Sequence, residues 1–182
     1  GLGDVYKRQF VIWDKNKQEL FGARDHFGIK PFYYAKMNGT FMYASEIKSL
    51  LRHPDFVKEL NAEALKPYMT FQYPAIGETF FKGVYKLPEG HYFTYRDGKM
   101  DIHRYYDEDF REGKQKLGEL VNSIDQTVCD SVKAHQIADV EVGSFLSSGV
   151  DSSYVAAVAR PQHTYSIGFG KGTYNESQQA GE

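Results

Sequence analysis

The chain has almost no cysteine: Cys129 is the single one among its 182 residues. An intrachain disulfide is therefore excluded, and a reducing compartment such as the cytoplasm is expected. Long apolar runs are also missing, since none approaches the roughly 20 residues of a membrane-spanning helix. The N-terminus lacks a signal-peptide pattern, so no membrane partner is expected. The 22 basic residues are balanced by 24 acidic ones, and without a large basic cluster no nucleic-acid partner is expected.

The composition indicates a packed fold. Apolar residues make up 41% of the chain and charged residues 25%, which is typical of folded domains and not of disordered chains. Aromatic residues reach 15% and concentrate in the first 110 positions. Because aromatic side chains favour strands, the first part of the chain is predicted to be rich in β-structure.

Short strands separated by turns are predicted for this first part. The Asn38–Gly39 pair is a strong hairpin signal, and residues 96–99 indicate a second hairpin. Two helices are predicted, one capped by Ser45 and one capped by Asn61. The predicted strands are Phe10–Trp13, Glu19–Ala23, Pro31–Ala35, Thr40–Ala44, His91–Tyr95 and Met100–Arg104.

A charged linker, residues 111–116, leads into a part with a different pattern. Apolar residues recur at helical spacing from Leu117 to about Ala138. A strand over 140–146, a helix from Asp151 to about Ala159 and a strand over Thr164–Phe169 are predicted next. This order is typical of the start of a parallel α/β sheet. Such a sheet needs further strands, so we expect this second domain to be truncated.

The turn over residues 145–153 carries the clearest chemical signal, Phe-Leu-Ser-Ser-Gly-Val-Asp-Ser-Ser. A strand, a turn of small residues and a helix direct backbone N–H groups at a phosphate. Gly149 permits close backbone approach, and the serines add hydroxyl donors. Asp151 supplies a carboxylate that could hold Mg²⁺ or cap the helix. The sequence therefore predicts a phosphate site, and a nucleotide is the expected ligand.

Three other features are weaker candidates. Residues 24–31 offer a cation, a carboxylate and an imidazole, which fits either a catalytic cluster or a structural turn with an Arg–Asp pair. Residues 168–173 lack the spacing of a Walker motif and are interpreted as a flexible loop. Cys129 lies near the apolar face of its helix and is interpreted as a core residue. No histidine pair has the spacing of metal ligands.

At this point the motifs resemble a known family. Leu146–Ser153 is similar to the pyrophosphate loop of the ATP pyrophosphatases, Ser-Gly-Gly-x-Asp-Ser-Ser, with Ser148 in place of the first glycine. Preceding segments narrow the resemblance to the glutamine-hydrolysing asparagine synthetases, from about Phe10 to the end of the chain. These segments are Ala23–Tyr34, Ala44–Leu50, Leu87–His91 and Arg104–Asp107.

The resemblance implies a mixed fold, α+β followed by α/β. Residues 10–110 would form the C-terminal part of an N-terminal-nucleophile glutaminase domain, a sandwich of antiparallel sheets between helices. Residues 117–182 would form the N-terminal part of a parallel-sheet ATP-pyrophosphatase domain. Enzymes of this family are cytoplasmic ligases that convert aspartate, ATP and glutamine to asparagine through β-aspartyl-AMP, with pyrophosphate released. A homodimer is one assembly that the resemblance leaves open for the full-length enzyme.

The resemblance also implies residue roles. Leu146 would contact ATP through its backbone, and Ile167 would contact the adenine. Ile29 and Leu146 would lie along an ammonia tunnel, which makes the 24–31 segment an interface element and not a catalytic one. Asp151 would hold Mg²⁺. The pyrophosphate portion of ATP would be bound by Ser147, Ser148, Gly149, Asp151, Ser152 and Ser153.

The chain also departs from the family pattern. The family's nucleophile is an N-terminal cysteine, whereas Gly1 stands first here, so no catalytic residue is assigned. Residues 1–9 match nothing in the family at this place and are interpreted as an artefact joined to an internal start. We therefore expect this chain alone to catalyse neither half-reaction. Two alternatives stay open: a related ATP-dependent amide ligase that forms β-lactams or amidates peptides or carbohydrates, and a non-catalytic truncated module.

Overall fold

The computed structural model describes residues 8–73 and 76–168. The chain divides into two compact units, with the boundary between Phe110 and Arg111. The first unit contains β1 (Gln9–Asp14), β2 (Glu19–Arg24), β3 (Tyr33–Met37), β4 (Thr40–Ala44), α1 (Ile47–Leu50), α2 (Ala62–Phe71), β5 (Val84–Lys86), β6 (His91–Arg96) and β7 (Lys99–Arg104). The second unit contains α3 (Leu117–His135), β8 (Ser144–Phe145), α4 (Val150–Ala159) and β9 (Thr164–Tyr165).

Two antiparallel sheets build the first unit. Their strand orders are β1-β2-β6-β7 and β4-β3-β5. In the first sheet Gly22 of β2 pairs with Phe93 of β6, and in the second Ala35 of β3 pairs with Met42 of β4. The mixed α/β fold with antiparallel sheets predicted for this part of the chain is confirmed.

The two sheets enclose one apolar core. Phe93 from the first sheet is fully buried together with Leu87, and Phe32 is nearly so. Across the interface, the ring of Phe41 on β4 stacks on that of Tyr95 on β6, with centroids 4.2 Å apart. Burial of these aromatic side chains stabilises the sandwich, since each removes a large apolar surface from water.

A second core layer lies on the other face of the smaller sheet. Ala35, Met42 and Val84 are buried there against Leu50 of α1. Phe41 and Met42 are neighbours on β4 but belong to different cores, as the alternation of side chains along a strand requires. The resulting order of layers is sheet, sheet, helix.

The predicted hairpins are confirmed. Asn38 and Gly39 have φ angles of 49° and 82°, and Asp97 and Gly98 have 50° and 74°. Positive φ at both central residues defines the type I′ turn, which matches the twist of the paired strands. These turns join β3 to β4 and β6 to β7.

The helix caps are less well predicted. Asn61 is the N-cap of α2 as expected, although its side chain donates to the Thr79 carbonyl at 3.1 Å instead of bonding to the helix. The cap assigned to Ser45 is wrong, because Glu46 is the N-cap of α1. The Ser45 hydroxyl instead accepts a hydrogen bond from Gln9 Nε2 at 2.9 Å.

The second unit is a helix, a short strand, a helix and a second short strand. Ser144 of β8 pairs with Thr164 of β9 in parallel register. The strand expected over 140–146 is shorter than predicted, because pairing with β9 covers only Ser144 and Phe145. Among residues 111–168 no side chain is buried. Within the described residues, no helix is both long and apolar enough to cross a membrane.

Candidate phosphate-binding loop

The loop of residues 146–149 connects β8 to α4, as the sequence predicts. Gly149 is the N-cap of α4, with φ −76° and ψ 150°. Asp151 therefore lies inside the first turn of the helix, and its predicted alternative role as the cap is wrong. As at the start of any α-helix, the N–H groups of Val150, Asp151 and Ser152 precede the first intrahelical bond, which Ser153 N donates to the Gly149 carbonyl at 3.1 Å.

The chain itself does not require glycine at position 149. Its φ is ordinary for any residue, and an added Cβ would meet the Ser147 hydroxyl at 3.4 Å, an ordinary contact distance. A requirement for glycine here would therefore come from a bound ligand that approaches the backbone closely.

Ser152 ties the loop to the helix. Its hydroxyl donates to the Ser147 carbonyl at 2.7 Å and accepts from the Ser147 backbone N–H at 3.2 Å. The two hydroxyl oxygens lie 2.9 Å apart. These contacts hold two of the predicted pyrophosphate ligands together at the N-terminus of α4.

Leu146 and Ile167 are brought close by β9. Leu146 N donates to the Tyr165 carbonyl at 2.9 Å, and the Ser166 hydroxyl donates to the Leu146 carbonyl at 2.6 Å. The residue after Ser166 is Ile167, which is 69% exposed. The predicted backbone contact from Leu146 to ATP would therefore have to use the remaining lone pair of its carbonyl oxygen, since its N–H is already paired.

The charge near the loop comes from the N-terminus of α4 and from the carboxylate of Asp151. In residues 139–168 the basic side chains are Arg160 and His163. Arg160 lies at the C-terminal end of α4, and His163 precedes β9, where its ring lies 3.7 Å from the Glu141 carboxylate. The N–H groups and macrodipole of α4 therefore supply the positive field at the loop.

The described residues contain no cluster of metal-ligating side chains. Asp151 alone could contribute one carboxylate oxygen to Mg²⁺. This donor set fits the ion, because Mg²⁺ commonly takes one or two carboxylates and completes its shell with water and substrate phosphate oxygens.

Helix α4 is attached to α3 at its middle and at its C-terminal end. The Tyr154 hydroxyl donates a short hydrogen bond to Asp125 Oδ1, and this bond raises the pKa of Tyr154 to about 12. At the C-terminal end, Gln136 Nε2 donates to the Ala159 carbonyl at 2.6 Å. Sequence reasoning missed the Tyr154 contact, because nothing in the spacing of the two residues indicates that they meet.

The 24–31 segment is a turn organised by side-chain bonds to the backbone. Arg24 is only 2% exposed. Its Nε, Nη1 and Nη2 atoms donate to the carbonyls of Lys30 at 2.8 Å, Leu87 at 2.5 Å and Gly28 at 2.6 Å. Gly28 has φ +62°, and an added Cβ would lie 2.7 Å from Arg24 Nη2. The guanidinium therefore occupies the space that glycine leaves open.

Asp25 completes this turn. Its carboxylate accepts from the N–H groups of Ile29 at 2.9 Å, Phe27 at 3.2 Å and Lys30 at 3.3 Å. Burial pulls the pKa of Asp25 upward, but the hydrogen bonds from the N–H groups outweigh it, so the pKa lies below its ordinary value. Arg24 and Asp25 attract each other electrostatically, and the hydrogen bonds described for each side chain are made to the backbone.

Aromatic side chains flank the same turn. His26 stacks on Tyr106, with ring centroids 4.1 Å apart, and the Tyr105 hydroxyl donates to the Arg24 carbonyl at 2.6 Å. Ile29, predicted to line an ammonia tunnel, is 55% exposed. Cys129, predicted as a core residue, is half-buried on α3. The loop predicted at 168–173 lies outside the described residues from position 169 onward.

The class of protein follows from comparison with known families. Residues 8–106 match the glutamine amidotransferase domain family, so the chain belongs to that family. Residues 123–182 match the asparagine synthase family. The two matches fall on the two parts of the chain that carry the turn at 24–31 and the loop at 146–149.

Individual relatives narrow the class. The chain is 40% identical to asparagine synthetase [glutamine-hydrolyzing] 1 of Bacillus subtilis over 95% of this chain and 28% of the relative. It is 33% identical to putative asparagine synthetase [glutamine-hydrolyzing] 2 of Methanocaldococcus jannaschii over 92% of this chain and 34% of the relative. It is 34% identical to amidase chry2 of Gibberella zeae over 82% of this chain and 22% of the relative. The resemblance predicted from the motifs is confirmed, and the chain spans about a third or less of these relatives.

Proposed function

We propose that the protein containing this chain is a glutamine-hydrolysing asparagine synthetase of the cytoplasm. Residues 10–110 would belong to its glutaminase domain, and residues 117–182 to a parallel-sheet ATP-pyrophosphatase domain that activates aspartate as β-aspartyl-AMP. The observation that carries the proposal is the loop at 146–149. Its Ser147 hydroxyl lies against that of Ser152, and the loop leads directly into the N-terminus of α4. The similarity to named synthetases supports the choice of reaction.

The chemistry of adenylylation fits this loop. Breaking the bond between the α- and β-phosphates leaves pyrophosphate, whose negative charge must be stabilised as it forms. The N–H groups of Val150, Asp151 and Ser152 at the start of α4 supply fixed donors. Mg²⁺, when bound, would add the positive charge that the side chains at this end of the helix do not supply. We assign Asp151 as the residue that holds it.

The other loop residues would bind and orient the nucleotide. The hydroxyls of Ser147 and Ser152 lie 2.9 Å apart and could both turn toward a phosphate oxygen. Ser148 and Ser153 would add hydroxyl donors, and Gly149 would admit the phosphate. Ile167, exposed beside the paired end of β9, would contact the adenine. We also retain Ile29 and Leu146 as residues of an ammonia path.

The experiment compares two activities in the full-length gene product that contains this sequence. Asp151→Ala should reduce aspartate-dependent exchange of pyrophosphate into ATP at least tenfold, because the metal loses its protein ligand. Glutamine hydrolysis should be unchanged. The matched control is Asp139→Ala, which removes another exposed carboxylate of the same unit and should leave both activities intact. Equal loss of both activities in Asp151→Ala would contradict the assignment.

The identity of the carboxylate substrate that is amidated is tested in the same protein. Aspartate should support ATP–pyrophosphate exchange and yield asparagine with glutamine as nitrogen donor. Exchange with a different carboxylate, and none with aspartate, would instead indicate a related amide ligase.

A further inference from the structure

Few side-chain hydrogen bonds attach α4 to the rest of its unit. In this chain none of its residues, Val150–Ala159, is buried, and in its first turn the Ser152 hydroxyl bonds to Ser147. The described hydrogen bonds between α4 and α3 are made by Tyr154 to Asp125 and by Gln136 to the Ala159 carbonyl. The first lies just past the first turn of the helix, whereas the second lies at the end away from the proposed phosphate loop.

Tyr154 directly follows the residues that would bind the phosphate. Asp151, Ser152 and Ser153 occupy the first turn of α4, and Tyr154 is the next residue along the chain. Anion binding at a helix N-terminus requires several N–H groups to converge on one point. A displacement of the first turn by a few tenths of an ångström would therefore weaken all of these contacts together.

We propose that Tyr154 is a positioning residue for the phosphate loop: its hydrogen bond to Asp125 fixes the first turn of α4 in the orientation that binds pyrophosphate. The inference rests on the proposed function of the loop. It assigns to Tyr154 no contact with the nucleotide. The Tyr154–Asp125 hydrogen bond orients the helix, and the backbone N–H groups of the first turn bind the ligand.

The bond is suited to this task at working pH. Asp125 holds the pKa of the Tyr154 phenol at about 12, so the hydroxyl stays protonated and donates throughout the neutral range. A hydrogen bond to an ionised carboxylate is shorter and stronger than one between neutral groups.

The experiment measures binding of Mg²⁺–pyrophosphate to the full-length gene product that contains this sequence by isothermal titration calorimetry. Tyr154→Phe removes only the hydroxyl and should raise the Kd about fivefold or more. Asp125→Ala should also weaken binding, because it removes the acceptor. Asp125→Asn keeps an acceptor oxygen and should bind as the wild type does or more tightly, since it also removes a negative charge. Gln136→Ala, which removes the far attachment of α4, should leave the Kd within about twofold of wild type.

Two further measurements keep the outcomes distinct. Circular dichroism at 222 nm shows whether each variant retains its helices, and Asp125→Ala, compared with Asp125→Asn, remains informative if Tyr154→Phe does not fold. Ultraviolet titration of the tyrosines should show one phenol returning toward its ordinary pKa, about 10, in Asp125→Ala.

Each pattern of results decides a different point. If wild type binds and Tyr154→Phe binds equally well, the positioning role is overturned while the loop assignment stands. If Gln136→Ala weakens binding as much as Tyr154→Phe, the effect is general helix stability, and the specific role of Tyr154 is wrong. If the wild type does not bind Mg²⁺–pyrophosphate, the proposed function of the loop fails, and this inference fails with it.

Discussion

In the unit that ends at Phe110, the 24–31 segment is anchored by a buried guanidinium whose donors reach three carbonyls. In the unit that begins at Arg111, the 146–149 loop is held by serine hydroxyls on the surface. The first segment is therefore part of what stabilises its unit, while the second is held by exposed hydroxyls and by the hydrogen bonds of Leu146 to Tyr165 and Ser166. Substitutions in the two segments should consequently have different effects. Those in the first should lower stability, and those in the second should change ligand binding while the fold remains.

The largest expected effect is that of Arg24→Met. The substitution removes a buried charge and leaves the carbonyls of Gly28, Lys30 and Leu87 without their donor. A buried acceptor left without its donor typically costs about 1–3 kcal/mol, so the loss at three carbonyls should cost about 3 kcal/mol or more. Urea unfolding followed by Trp13 fluorescence measures this loss, because Trp13 is the single tryptophan and lies on β1 of the same unit.

Arg96→Met is the matched control for that substitution. Arg96 ends β6, and its side chain is 57% exposed beside Asp97. Since exposed ion pairs contribute little, the control should change the free energy of unfolding by no more than about 0.5 kcal/mol. Similar midpoints for the two variants would show that Arg24 does not anchor its unit.

A smaller loss of stability is expected for Gly22→Ala. A Cβ at this position would lie 2.3 Å from a ring atom of Phe93, so the fully buried ring would have to move. Overpacking of this kind typically costs about 1–3 kcal/mol. Gly77→Ala is the control, since an added Cβ there meets nothing within 4 Å. If both variants unfold at the same urea concentration as the wild type, the core between the sheets is looser than the structure indicates.

The same contrast between the units explains what the sequence could predict. Six of the seven described strands of the first unit are predicted, because turns such as Asn38–Gly39 are local signals that long-range packing reinforces. Strand β5 is not predicted. The Ser45 cap fails, because a serine before a helix can also bond elsewhere, and here Gln9 reaches it from 36 positions away. A hydrogen bond between residues so far apart in the sequence cannot be predicted from the spacing of neighbouring residues.

The candidate site shows the same limit. The strand, turn and helix around Gly149 are predictable because a run of small residues separates two apolar stretches. The shorter extent of β8 depends on its partner β9, which the spacing of residues 140–146 does not reveal. The role of Arg24 is also unpredictable from local pattern, because one of its acceptors, the Leu87 carbonyl, is 63 positions away.

A pH-dependent effect smaller than those of Arg24 and Gly22 is expected for Asp25→Asn. The folded-state pKa of Asp25 lies below its ordinary value, so its carboxylate stabilises the fold above the unfolded-state pKa, about 3.9. That contribution is lost as the pH falls through the lowered folded-state pKa. At neutral pH the variant should lose about 1 kcal/mol, the usual net worth of one hydrogen bond, because asparagine keeps one acceptor oxygen.

Urea unfolding of wild type and Asp25→Asn between pH 7 and pH 2.5 tests this expectation. The difference in their free energies of unfolding should be constant down to about pH 4 and then shrink. Asp101→Asn, a change at an exposed position of β7, controls for the loss of one negative charge. A difference that stays the same at all pH values would show that the carboxylate's charge does not stabilise the turn.

The smallest expected effect, and the one that most directly tests the second unit, is that of Gly118→Ala. Gly118 lies in the first turn of α3, and an added Cβ would meet nothing within 4 Å. Because no residue among 111–168 is buried, the stability of this helix should depend on local propensity, and alanine should gain up to about 0.5–1 kcal/mol over glycine. Ellipticity at 222 nm during thermal unfolding should therefore be lost at a higher temperature, while the Trp13 transition of the first unit stays in place. A shift of both transitions together would show instead that the two units unfold as one cooperative body, and the contrast between a packed unit and a locally stabilised one would not hold.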